Sequence, residues 1–213
     1  MSFRSWEANA AQLRSEVGLD DVVVHPKILA SRYELDVRRT GRRGSCIAGD
    51  RVLVDGGATP EQQAFDLAHE LGHFALERYN DEQSERGANY IAGALLLPRR
   101  SMRVALVKFG WDLEQLRRHF LHASPEVIAR RIADVTEAVV TITDGRRVLA
   151  RVASPWLVPP RPTLTAVERE VMKRAVDGGA RVDDGWISCT PYLQGPQRRV
   201  IIIAEREQLE LRF

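Results

Sequence analysis

Apolar residues recur at helical spacing at the start of the chain, at Trp6, Ala10, Leu13 and Val17, and predict a first helix. A short second helix starts at Pro26 and covers Ile28 to Tyr33. The period then changes. Leu35 to Arg38 reads as a strand, and Cys46 to Ala48 and Arg51 to Val54 flank Gly49-Asp50 as the arms of a hairpin. Thr59-Pro60-Glu61-Gln62 is a helix start: a cap, a proline at the first helical position and a glutamine at the capping-box position. That helix runs to about Tyr79. Asn80, with Gln83 three residues on, predicts the cap of the next helix, which runs to Leu97 and stops before Pro98. Asp112 and Ser124 cap two shorter helices, 113–121 and 125–136.

Beyond residue 137 strands dominate. Val139 to Thr143 and Val148 to Val152 flank Asp144-Gly145, a hairpin signal. Pro155, Pro159, Pro160 and Pro162 make a stiff connector. Thr165 and Glu168 form a capping box for a helix to about Val176, and Trp186 to Tyr192 with Val200 to Ala204 reads as a last hairpin. The expected fold class is therefore α+β in two parts. Residues 1–137 hold a small β-sheet, a helix pair and further helices, and residues 138–213 form a small β-β-α-β-β domain, with a sensory or regulatory role, a covering role or a dimerising one open to it.

Composition narrows the class. With 213 residues, 44% hydrophobic and 28% charged, the chain can bury a core without disulfide or metal staples, which excludes wholesale disorder and coiled-coil rods. No run approaches about eighteen apolar residues, so no membrane partner is expected. Met1 to Val17 contains no apolar signal core. Cys46 and Cys189 stand far apart without CxxC spacing, and read as reduced thiols of a cytoplasmic protein. The net charge of +2 does not by itself announce a nucleic-acid partner. None of these features sets an oligomeric state.

The chemistry concentrates in His69-Glu70-Leu71-Gly72-His73. On a helix, positions four apart share a face, so His69 and His73 can offer two imidazole nitrogens to one metal ion. Glu70 sits about 100° round, where it can reach a water beside that ion. This is the spacing of a zinc hydrolase: two neutral nitrogen ligands, an open position and an adjacent base. The bland alternative is an amphipathic helix carrying two incidental histidines.

A third protein ligand is required. Glu77 lies two turns from His69, roughly 12 Å along a straight helix, so the three groups cannot converge. Glu85 is the better candidate, one turn into the next helix, which would return antiparallel after a turn at Asn80-Asp81. That helix must approach closely, and its contact face is small: Ala88, Ala92 and Gly93, with Gly87 and Ala94 beside them. Asn89, four residues past Glu85, could hold the outer nitrogen of a ligand histidine.

The blocks Phe65-Asp66-Leu67-Ala68-His69-Glu70-Leu71-Gly72-His73 and Glu85-Arg86-Gly87-Ala88-Asn89-Tyr90-Ile91-Ala92-Gly93-Ala94-Leu95-Leu96-Leu97-Pro98 together resemble the ImmA/IrrE family of zinc-dependent metallopeptidases. The similarity extends more weakly over residues 20–136 and leaves out the C-terminal part. Asp66, Gly87, Ile91 and Leu97 depart from residues frequent in the family, and none of these is a ligand. The resemblance implies a zincin-like minimal metallopeptidase core, with His69, His73 and Glu85 holding zinc (manganese being the alternative ion) and Glu70 as the catalytic residue. It also implies a cytoplasmic endopeptidase that cuts helix-turn-helix transcriptional repressors in stress or mobile-element regulation.

Within that reading Tyr79, Tyr90, His119 and His122 are candidate oxyanion donors, and Arg51 to Val54 is a candidate open edge for an extended substrate. Cys46 is a candidate inhibitory thiolate. Two other readings stand beside it. Residues 97–136 carry two capped helices, and eight basic residues face three acidic ones over 97–131, which suggests a DNA-binding regulator; arginines on solvated faces explain the same charges, and nucleic acid is not the favoured partner. The other is an inactive protease-like binding or antitoxin module, against which the intact His69, Glu70, His73 and Glu85 argue.

Overall fold

The computed structural model describes residues 3–154, 162–193 and 198–210; Pro155, Pro159 and Pro160 of the expected connector lie outside them. Among the described residues the chain is α+β, with nine helices and two sheets. It divides into two compact units. One comprises the residues up to Lys108 together with Glu114–Ile128, and the other Phe109–Leu113 together with the residues from Ala129 onward.

The first unit opens with α1 (Phe3–Ser15) and α2 (Pro26–Arg32), followed by β1 (Asp36–Thr40), β2 (Cys46–Ala48) and β3 (Arg51–Asp55). Then come the long α3 (Pro60–Arg78) and α4 (Glu85–Leu96). The hairpin forms as its turn residues dictate: Ala48 pairs with Arg51 across Gly49-Asp50, and Gly49 takes a φ of 61°. β1 joins β3 in parallel on the opposite side, giving the order β1-β3-β2. This corrects one expectation. Arg51 to Val54 forms the central strand, paired on both sides, so it offers no open edge; the sheet's edges are β1 and β2. Val52 and Val54 point from β3 into a core shared with Leu67, Leu71 and Ala75 of α3, Ile91 and Leu95 of α4, and Trp6, Ala10 and Leu13 of α1. Buried Arg14 ties α1 to its surroundings by donating to the carbonyls of Asp20 and Leu95, both at 2.7 Å, and of Val22.

Both ends of α3 are chemically defined. Thr59 and Gln62 form the expected capping box. At the other end Asn80 corrects the sequence reading: it does not cap the following helix but closes α3. Its φ is 53°, its N–H donates to Glu77 O at 3.1 Å, and Asp81 N–H donates to Leu76 O at 2.8 Å, which together make a Schellman motif with asparagine in the left-handed position. Ser84 is the cap of α4, accepting from Gly87 N–H at 3.1 Å.

α5 (Arg99–Phe109) was absent from the sequence reading, because Pro98 reads as a terminator. The proline also opens the new helix: its carbonyl accepts from Met102 N–H at 2.9 Å. α6 (Leu113–His119) and α7 (Pro125–Val135) follow as expected. From Ile128 to Val135, however, α7 is buried except at Arg130 and partly at Asp134, and the wholly buried side chain of Arg131 lies 3.7 Å from Asp134. Arg117 is paired with Glu61 at 3.2 Å. Arg130 is the exposed basic residue of α7.

In the second unit β4 (Ala138–Thr143), β5 (Val148–Ala153), α8 (Ala166–Gly178), β6 (Val182–Asp183), β7 (Ile187–Tyr192), β8 (Arg199–Glu205) and α9 (Arg206–Glu210) follow in order. The β-β-α-β-β expectation thus gains the two-residue β6 and the short α9. The strands form an antiparallel sheet ordered β5-β4-β8-β7-β6, with Val171 and Ala175 of α8 packed on Val139, Cys189, Ile202 and their neighbours. Cys189 is a packed thiol that burial pushes up to about 12. The α8 capping box forms, and buried Glu168 also accepts from Arg151 at 2.7 Å.

Among the described glycines, the tightest approach to another backbone is at Gly72. A Cβ there would lie 2.6 Å from Ala88 O and 2.9 Å from Ala88 Cα, whereas a Cβ on Gly93 would meet nothing within 4 Å. Gly72→Ala should therefore cost about 1–3 kcal/mol, because backbone cannot yield as a side chain can. Gly93→Ala should be neutral or stabilising by up to about 1 kcal/mol. Urea unfolding midpoints of the two variants check the contrast.

His25 gives a second handle. It caps α2, its Nδ1 accepting from Lys27 N–H at 3.1 Å, and its ring packs edge-on against His122 at 4.6 Å. Burial first, then His122, Lys27 and Arg39, lowers its pKa from 6.5 to about 4. Between these values the unfolded chain binds a proton that the folded chain does not, so stability falls as pH drops from 6.5 to about 4 and the loss is complete below that. His25→Asn keeps a capping acceptor and should remove this part of the acid slope, measured as urea midpoint against pH.

Candidate metal centre

His69, Glu70 and His73 stand in the middle of α3, where the helix turns from its core-facing stripe of Leu67, Leu71 and Ala75 toward α4. The Schellman turn reverses the chain within six residues, and α4 returns antiparallel with Ala88 seated on Gly72. Glu85 is the first residue of α4, at its very start and not one turn in as the sequence suggested. There its carboxylate also faces the positive end of the helix dipole.

The three side chains converge. Glu85 Oε2 lies 3.3 Å from His69 Nε2, Glu85 Oε1 lies 3.3 Å from His73 Nε2, and the two Nε2 atoms are 3.2 Å apart. Among the described residues these three are the group whose ligand atoms lie within 4.8 Å of one another. Donors held about 2.0–2.1 Å from one ion at tetrahedral angles are about 3.3 Å apart, so the spacing fits a zinc-sized cation. The side chains of His69 and His73 are 16% and 23% exposed and that of Glu85 is 78% exposed, which leaves the face on the Glu85 side open. Glu77 does not join the group.

The outer nitrogens of both rings face carboxamide oxygens. Asn89 Oδ1 is 3.2 Å from His69 Nδ1, and Gln83 Oε1 is 2.9 Å from His73 Nδ1. With the carboxamides so oriented, a neutral ring carries its hydrogen on Nδ1, and its Nε2 lone pair then points inward beside a carboxylate. Two lone-pair nitrogens and two carboxylate oxygens so close together call for a cation between them.

Glu70 is 6% exposed, and Ser45 Oγ donates to its Oε1 at 2.7 Å. Strand parity explains the contact. Ile47 pairs with Val52 on the helix side of the sheet, so Ser45, two residues earlier, faces α3 while Cys46 faces outward with Ala48. Cys46 is exposed and does not join the metal-ligand group, contrary to its reading as an inhibitory thiolate.

The tyrosines proposed as oxyanion donors serve other partners. Tyr79 donates to Glu16, just past the end of α1, at 2.9 Å, and Tyr90 donates to Glu7 of α1 at 2.8 Å. His122 packs on His25, and the ring of His119 lies against Phe120. Three residues escaped sequence reasoning. Gln83 reads as part of a cap at Asn80, Ser45 lies in a polar loop without a motif, and Gly72 has no ligand atom to offer within the histidine motif. Only Gly72 carried a usable signal, a glycine in mid-helix where helix propensity disfavours it.

No curated protein matches the chain. Among solved structures, a Mycobacterium tuberculosis transcriptional regulator shares the fold with a TM-score of 0.69 at 18% sequence identity, over 94% of this chain and 74% of that one. Residues 25–133, just over half of the chain, match the peptidase-family model described as the IrrE N-terminal-like domain. That span contains both helices of the convergent cluster, β2 and Ser45, and the chain belongs to this family of peptidases.

Proposed function

We propose that this protein is a zinc-dependent endopeptidase with a zincin-like core, and that its substrate is a helix-turn-helix transcriptional repressor. The observation that carries the reading is the convergence of His69 Nε2, His73 Nε2 and the two Glu85 carboxylate oxygens, with contacts of 3.2–3.3 Å, and the buried carboxylate of Glu70 on the adjoining helix position. The residues fit the ion that such a family employs, and when bound it would supply Lewis acidity toward water and toward a peptide carbonyl.

The chain's own groups supply the proton chemistry. Glu70 accepts a proton from the attacking water and delivers it to the amide nitrogen as the C–N bond breaks. Ser45 holds one oxygen of that carboxylate in place, and the other remains available to the water. β2 is an edge strand that begins one residue after Ser45, so an extended substrate adding to it would run past Glu70. The substrate class rests on the family resemblance. The description of the structural neighbour as a transcriptional regulator accords with a role in gene control. Manganese is the alternative ion for this donor set.

Metal-free protein titrated with zinc should bind one equivalent per chain. Glu85→Ala should weaken binding by more than the roughly 10- to 100-fold that follows loss of a histidine's hydrogen-bond partner, and Glu77→Ala should leave it unchanged. A wild-type chain that takes up no metal would turn the assignment to a binding or antitoxin module. Glu70→Gln should retain zinc and lose about 10²- to 10⁴-fold in cleavage of the repressor encoded beside its gene, followed by co-expression and mapping of the cut. Undiminished cleavage in that variant would remove Glu70 as the base.

A further inference from the structure

Gln83 makes two contacts to a single residue. Its Nε2 donates to the His73 carbonyl at 3.1 Å, and its Oε1 lies 2.9 Å from His73 Nδ1. A carbonyl oxygen can only accept, so the amide nitrogen of Gln83 must face it. This fixes the orientation of the carboxamide without reference to the imidazole. The oxygen then facing Nδ1 can only accept as well, so His73 Nδ1 must carry the hydrogen, and in the neutral ring Nε2 is bare. Without such a partner a neutral histidine favours the opposite tautomer, with hydrogen on Nε2, which would point a proton at His69 and Glu85.

We propose that Gln83 is a positioning residue that locks His73 in the tautomer with a free Nε2 lone pair, so that the centre is set to take a metal ion before one arrives. The inference rests on the reading of His73 as a ligand. The α3–α4 turn gives it a structural basis. Asn80 and Asp81 end α3, Ser84 starts α4, and Gln83 lies between them, where its side chain reaches back over the last turns of α3. One side chain therefore couples the geometry of the turn to the electronic state of the ring.

The test uses the full chain, metal-free, with ¹⁵N-labelled histidine at a pH that keeps imidazoles neutral. Long-range ¹H–¹⁵N correlation reads the tautomer, and competition with a chelator reads zinc affinity. In the wild type His73 should carry its proton on Nδ1. Gln83→Leu should shift it toward Nε2 and weaken zinc binding about 10- to 100-fold. Gln83→Glu, which keeps an acceptor for Nδ1–H but loses the donor to the His73 carbonyl, should retain the tautomer and bind zinc more tightly than Gln83→Leu. Ser84→Ala loosens the same turn through the cap alone and should leave the tautomer unchanged. If the tautomer and the affinity of Gln83→Leu match the wild type, the role of Gln83 is overturned while the metal centre stands. If the wild type binds no zinc, the metal centre falls and the proposal falls with it.

Discussion

The centre depends on one backbone contact, where Gly72 of α3 meets the Cα and carbonyl of Ala88 on α4. No side chain fits between them. Ala88 also has Gly87 as its neighbour, and a Cβ on Gly87 would meet the Trp6 ring at 3.1 Å. α4 is thus held between α1 and α3 by two adjacent residues with almost no side chain, one turned toward each. Larger residues would widen the spacing between helix axes, and a carboxylate reaching from the start of α4 would no longer meet imidazoles in the middle of α3. The short reach of Glu85 makes helix spacing a chemical variable as well as a packing one.

The electrostatic character of the centre follows from what surrounds the rings. Both outer nitrogens face neutral amides and not carboxylates. A carboxylate there would make the ring a more basic ligand and would partly offset the charge of a bound cation. With amides, Glu85 is the only anion of the triad. A divalent ion held there would keep a net positive charge, which favours polarisation of a carbonyl. Glu70 adds negative charge next to the site, fixed by the Ser45 hydroxyl.

The sequence made some of this legible and concealed the rest for identifiable reasons. The histidine pair and Glu70 were readable because helical spacing fixes their relative directions. Glu85 was readable because a short connection forces antiparallel return, though its place at the helix start was not: Asn80 and Ser84 are both good caps, and only the left-handed backbone of Asn80 decides between them. The hairpin was clear from Gly49-Asp50. The position of β3 between β1 and β2 was hidden, because a parallel partner leaves no local signal. Gln83 and Ser45 act through contacts that span 10 and 25 residues, which no local pattern reports.

The turn between α3 and α4 leaves almost nothing spare. Tyr79 is bonded to Glu16, Asn80 holds the left-handed backbone, Asp81 accepts from Asn9 at 3.0 Å, Gln83 grips His73, and Ser84 begins α4. An inserted or deleted residue would break the spacing between the close of α3 at Asn80 and the start of α4 at Ser84, and would shift Glu85 and Asn89 together relative to His69 and His73. A turn of this length therefore ties the choice of residues at 80, 83 and 84 to one another, and a longer connection would need a different tether for the His73 ring.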